Sequence, residues 1–219
     1  MTTRDLFHNE LQEVNKEIVE LAELAGTALT NSIEALFKQN IDAAKQVIEN
    51  DKLLDKKEMD LNDKTILLIA KQQPVATDLR RVIVALKIAT DLERMGDNAK
   101  NIASATIRLG EENGARPVPE NLQAMHDAAL EMLQAAVTAF KNEDISLARK
   151  LSEMDDTVDK LYKRTVSELL GETATNPDKI QYVMQIAFCG RYLERFADHI
   201  TNIGENILYL VKGENYNLN

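Results

Sequence analysis

Four prolines and eight glycines punctuate 219 residues, and this scarcity constrains the fold more than any other feature. Pro74, Pro117, Pro119 and Pro177 all fall where a helical period lapses. Between them run long stretches of good helix formers with apolar residues three and four apart. No alternating, β-branched run bounded by turn residues occurs, so the chain reads all-α. The periodicity predicts six helices, at about Asp5–Gln39, Ile41–Lys71, Val75–Leu109, Glu120–Lys141 and Ile145–Leu170, with the last reaching Lys212. Asn40 and Asp144 are the candidate caps of the second and fifth, and Asn176 followed by Pro177 opens the sixth. The segment GEENGARPVP holds two Gly and two Pro and is the best internal boundary. It divides the chain into 1–110, a linker at 111–119, and 120–219.

The two parts repeat one another. Glu93, Arg94, Asp97, Asn101 and Ile102 recur 101 residues later as Glu194, Arg195, Asp198, Asn202 and Ile203. Asp51, Asp55 and Lys56 recur 104 residues later as Asp155, Asp159 and Lys160, and Phe37-Lys38 recurs 103 residues later as Phe140-Lys141. Two three-helix units in tandem explain these displacements most simply, and their short connections imply antiparallel neighbours.

Helical phase shows where the acids lie. In the third helix a heptad-like seam passes through Leu79, Ile83, Leu86, Thr90, Glu93, Asp97 and Asn101, apolar at its start and acidic at its end. A second seam, Val84, Ile88, Leu92, Met95, Ala99 and Ile102, runs on roughly the opposite side, so this helix is expected between neighbours. The sixth helix repeats the arrangement with Ile180, Met184, Ala187, Arg191, Glu194, Asp198 and Asn202 against Cys189, Leu193, Phe196, Ile200 and Ile203. Asp51 and Asp55 interrupt an apolar seam of the second helix. Asp155 and Asp159 do the same in the fifth, where Ser152 is a polar exception. Antiparallel packing would gather four carboxylates and an Asn in each half.

Such a cluster needs proton sharing, salt bridges or a bound cation, because like charges repel and burial makes the repulsion worse. Arg94 and Arg195 stand to the side of the seam. Arg191 lies on it, and its equivalent is Thr90, so the first cluster is expected to be the more anionic. A solvated helix face and an ion-pair ladder are the bland alternatives. Repetition on equivalent seams of two helices in two halves favours a cation site, and an all-oxygen set of Asp, Glu and Asn suits ferric iron, Mn²⁺, Mg²⁺ or Ca²⁺.

Other chemistries find little support. A ferritin-like di-iron site needs Glu-x-x-His, which the chain lacks. His199 is expected to be a surface or packing residue, and Cys189 a buried small hydrophobe. No phosphate-cradling Gly loop or nucleophile elbow occurs. The net charge of −10 argues against non-specific nucleic-acid binding. A single cysteine permits no internal disulfide. The start of the sequence lacks the apolar core of a signal peptide, and no apolar run reaches the roughly 18 residues of a membrane span, so a cytoplasmic protein is expected.

At these residues the sequence resembles the PhoU family, regulators attached to bacterial phosphate uptake. PVATDLRRVIVALKIATDLERMGDNAKNIA, residues 74 to 103, looks like the family's signature. RYLERFADHITNIGENI, residues 191 to 207, resembles its second-repeat counterpart. The resemblance implies a pair of three-helix bundles with multinuclear metal sites on paired E/D-x-x-x-D motifs. One would use Asp51, Asp55, Glu93 and Asp97, and the other Asp155, Asp159, Glu194 and Asp198. Iron is the ion implied, with Mn, Mg, Ca or Zn as other choices. Asn101 and Asn202 are added from the seam alone. The resemblance further implies a non-enzymatic negative regulator that contacts the ATPase of the phosphate ABC transporter and the sensor histidine kinase of the phosphate-starvation response. A homodimer is the expected assembly. A metal-independent acidic scaffold that docks a basic partner is the rival, and a carboxylate-bridged metalloenzyme a weaker third.

Overall fold

A computed structural model describes residues 3–110, 117–175 and 179–218. Those residues form six α-helices: α1 Thr3–Lys38, α2 Ile41–Gln72, α3 Ala76–Leu109, α4 Glu120–Asn142, α5 Ile145–Thr175 and α6 Ile180–Lys212. No strand occurs among them. Five of the six predicted helices match within a few residues. The exception is α5, which runs through Gly171 to Thr175 instead of stopping near Leu170. A lone glycine costs a long helix only about 1 kcal/mol. The expected cap at Asn176 and Pro177 lies outside the described residues.

The first hairpin of each repeat is built alike. Gln39 and Glu143 take left-handed φ values of 50° and 49°, and the next residue closes the helix backwards, Asn40 N–H to Ala35 O and Asp144 N–H to Ala139 O, both at 2.9 Å. Each closing residue then opens the following helix. Asn40 Oδ1 accepts from Ala43 N–H, and Asp144 Oδ1 accepts from the N–H groups of Ser146 and Leu147, so the side chains satisfy donors that a helix start leaves open.

Three antiparallel helices make each repeat, but the two repeats share one core. α3 packs on α1, α2 and α6, while α6 packs on α3, α4 and α5, and α1 also meets α4. The second seams lie where the phase put them. Val84, Ile88, Leu92, Met95, Ala99 and Ile102 are buried, as are Cys189, Leu193, Phe196, Ile200 and Ile203. All but the residues nearest the α1–α2 hairpin end belong to one continuous apolar cluster spanning both repeats. The two tandem three-helix bundles expected from the sequence are present, and they pack on one another through α3 and α6, which form a shared centre. Linker residues take part as well: Tyr182 Oη donates to Pro117 O at 2.6 Å. Desolvation pushes the buried Cys189 thiol up to about 12, which leaves it an inert hydrophobe. No described helix is long and apolar enough to cross a membrane.

Candidate functional site

The acidic seams lie at the margins between paired helices, half-buried, and not in the core. In the first repeat, Asp51 on α2 is buried, while Asp55, Glu93 and Asp97 are partly covered. α2 comes close to α3 here because residue 96 is glycine. A Cβ on Gly96 would stand 2.8 Å from Leu54 Cδ1 and 3.5 Å from Asp51 Oδ1. The second repeat solves the same contact with Val158 and Ala197, both buried. Asp155, Asp159 and Asp198 are half-buried there, and Glu194 is buried.

Electrostatics bring the four acids of each half together. Burial holds Asp51 above the usual carboxylate range, with Asp55 and Asp97 adding repulsion and Lys100 opposing it. Burial also raises Glu93, helped by Asp97 and Asp55 and opposed by Arg94. In the second repeat burial raises Asp155 to about 7, with Asp198, Asp159 and Glu194 as further causes. Glu194 and Asp198 are raised for the same first reason. In each half the acids are near enough to raise one another's proton affinity.

The two clusters are neutralised in different places. Lys100 Nζ stands 2.5 Å from Asp51 Oδ2 and 3.5 Å from Asp97 Oδ1, so the first cluster carries its own cation. Arg94, mostly exposed, pairs with Glu93 and Asp97 from the side, as its phase suggests. In the second cluster Arg191 pairs with Glu194 and Lys163 with Asp159 at 2.7 Å. Asp155 has no such partner: its Oδ1 is buried without a hydrogen bond, and so is Glu194 Oε2. Each cluster thus meets two side-chain cations, Arg94 and Lys100 in the first and Arg191 and Lys163 in the second, and the difference lies in Lys100, whose second-repeat equivalent is Thr201. The residue stands one heptad after Glu93. Stepping four from Asp97 reaches Asn101, whereas stepping three reaches Lys100, and the structure uses the shorter step.

The asparagines differ from one another. Asn101 is half-buried one turn beyond Asp97. Asn202 turns to the other repeat, where its Nδ2 donates to Asp91 Oδ1 at 3.1 Å. His199 Nδ1 shares that oxygen at 3.0 Å, the packing role expected of it. Asp91, unremarked in the sequence, thus ties α3 to α6 between the clusters.

As placed, no three or more Asp, Glu, His or Cys among the described residues are grouped to hold a metal ion. The donor chemistry nevertheless fits a hard cation: every candidate ligand is a carboxylate or amide oxygen, and two buried oxygens of the second cluster have no hydrogen-bond partner. In the first cluster an incoming ion would have to displace the Lys100 ammonium.

The model of the PhoU domain family matches residues 18–106 and again 122–207. The chain belongs to the PhoU family. One relative, the phosphate-specific transport system accessory protein PhoU homolog of Clostridium acetobutylicum, is 36% identical over 99% of both chains. The homolog from Aquifex aeolicus is 40% identical over 94% of this chain and 92% of its own. The Escherichia coli PhoU is 31% identical, over 96% and 87%. Crystal structures agree. PhoU from Pseudomonas aeruginosa superposes with a TM-score of 0.89 at 32% identity, over 95% of this chain and all of its own. The phosphate transport system regulatory protein PhoU from Streptococcus pneumoniae gives 0.88 at 30% identity, over 96% and 99%. The double match to the PhoU model coincides with the two repeats read from sequence, and its second part spans the α5–α6 cluster.

Proposed function

We propose that this PhoU-family chain is a cytoplasmic accessory regulator of phosphate uptake, acting as a non-enzymatic brake on the transporter and on phosphate-starvation signalling. It docks on the ATPase subunit of the phosphate ABC transporter and on the sensor histidine kinase. Full-length similarity to accessory proteins of the phosphate-specific transport system carries this reading. The acidic clusters hold hard cations, iron first among them, with Asp155, Asp159, Glu194 and Asp198 as the stronger set because Asp155, unlike Asp51 with its Lys100, has a buried oxygen and no ion pair among the described residues. Asp51, Asp55, Glu93 and Asp97 form the weaker set, since Lys100 competes for it. The test of docking is binding of the purified ATPase subunit and kinase to immobilised chain. Saturable binding supports the reading, and binding of neither partner overturns it.

The Lys100–Asp51 pair gives one observation in favour of a metal-independent scaffold, in which the acids meet a basic partner surface. Glu93→Gln with Asp97→Asn separates the readings. A scaffold loses partner affinity in a salt-dependent way, whereas a metal-dependent regulator loses its ion first.

A further inference from the structure

Ser152 is the polar exception on the α5 seam, and its partner lies 66 residues away. Its hydroxyl donates to Leu218 O at 2.7 Å, while Glu205 Oε1 accepts from Leu218 N–H, also at 2.7 Å. The segment that follows α6 therefore turns back across the α5–α6 groove. Gly213 makes the turn, with φ 78° and its N–H bonded to Tyr209 O, a conformation that favours glycine. Tyr216 then lies under the Arg149 guanidinium, 5.8 Å from its ring centre. Leu218 reaches the core, where Gly204 makes room: a Cβ there would stand 3.2 Å from Leu218 Cδ1 and 3.0 Å from Ala148 O.

Comparison of the repeats shows that this notch is built. The residues equivalent to Ser152, Gly204 and Glu205 are Ile48, Ala103 and Ser104. In the first repeat Ile48 and Ile107 pack on Ala44, Val47 and Ala103 and fill the site from within. The second repeat replaces a branched apolar side chain by a hydroxyl and removes a methyl group. It also supplies a carboxylate where a backbone N–H can reach it. Together these changes make an apolar cup flanked by one donor and one acceptor, the equipment that holds an extended peptide by a single residue.

We propose that this notch is a peptide-docking site whose occupant is the chain's own Gly213–Leu218 segment, which seats and releases as a strap across the α5–α6 groove. The hydrogen bonds at Leu218, its partly buried side chain and the packing of Tyr216 under Arg149 hold the segment against the conformational entropy of ordering six residues, and terms of this kind are of comparable size. The strap is therefore seated by a small margin and opens reversibly. The notch begins one helical turn before Asp155, at the edge of the second acidic cluster, but the inference stands whether or not that cluster holds a cation.

The test uses a fluorescent peptide of residues 213–219 and three chains: the full chain, a chain ending at Lys212, and full-length Leu218→Asp, which evicts the strap without shortening the protein. Anisotropy should show saturable binding to both open-notch chains. Binding to the full chain should be at least about tenfold weaker, because a tethered occupant competes at about millimolar effective concentration. Ser152→Ile, which restores the first-repeat residue, should abolish binding in either open-notch background. Equal binding to the full and open chains would overturn the proposal. So would no binding to either open chain, the result expected if the segment were only a structural part of the fold.

Discussion

Lys100 Nζ and Asp51 Oδ2 stand 2.5 Å apart, joining the centre of the first acidic cluster to a cation from α3. The Asp51 side chain is only 4% exposed and that of Lys100 36%, so the pair is buried at one end and wet at the other. Lys100→Met leaves the Asp51 carboxylate buried and unpaired. The metal-free variant should lose about 1–2 kcal/mol, less than a fully buried pair because solvent reaches the ammonium. Removing the competing charge should also tighten cation binding at this cluster, by roughly tenfold or more. Thermal unfolding with and without Mn²⁺ reads both effects, and weaker uptake by the variant would refute the competition.

The second cluster responds to pH. Asp155 holds its proton up to about 7 in the folded chain, whereas the unfolded carboxylate ionises near 3.8. Between those values the folded state binds more protons, so stability of the metal-free protein should fall as pH rises from about 4 through about 7. Asp155→Asn should remove much of that slope and raise Tm near pH 8 by ~2–4 °C, the shift that about 1 kcal/mol produces in a domain of this size. Cation affinity should run the other way, rising with pH as the proton leaves. A Tm of the metal-free wild type that climbs across this window would contradict the assignment.

Gly96 and Leu54 form a packing pair whose counterpart is Ala197 and Val158. Gly96→Ala drives a methyl group to 2.8 Å from Leu54 Cδ1 and should cost about 1–3 kcal/mol by overpacking. Leu54→Val in the same chain recreates the second-repeat pair and should recover most of the loss. A double-mutant cycle by urea unfolding measures the coupling, and additive losses would show that the two sites do not share this contact.

Asp91 receives Asn202 and His199 from the other repeat. Asp91→Ala leaves both donors without their acceptor and should cost about 1–3 kcal/mol. Cation stoichiometry should be unchanged, because Asp91 is not among the candidate ligands. A variant that loses metal but keeps its stability would reassign Asp91 to the cluster.

Much of this architecture was legible in the residues because its causes are local. The 3.6-residue period placed five of six helices, and Asn40 and Asp144 cap their helices as their side-chain chemistry suggests. Phase alone also put Glu93, Asp97, Glu194 and Asp198 on one seam and the buried core on the other. What escaped depends on tertiary register. Lys100 was passed over because a seam can step by three or by four, and only packing on α2 selects between them. The partners of Asn202 and Ser152 lie 111 and 66 residues distant in sequence, beyond any local pattern. Two motifs in tandem give the two bundles, but that the apolar faces of α3 and α6 have each other as partners lies beyond the repeat pattern.

The most direct test of the cation account is the metal content of chain purified without affinity tag or chelator, then titrated with Fe³⁺, Mn²⁺ or Mg²⁺. Wild type should hold or take up a hard cation. Asp155→Asn with Glu194→Gln should lose the tighter site, while Glu93→Gln with Asp97→Asn should lose only the weaker. A wild-type chain that carries no metal and takes up none of the three ions would contradict it.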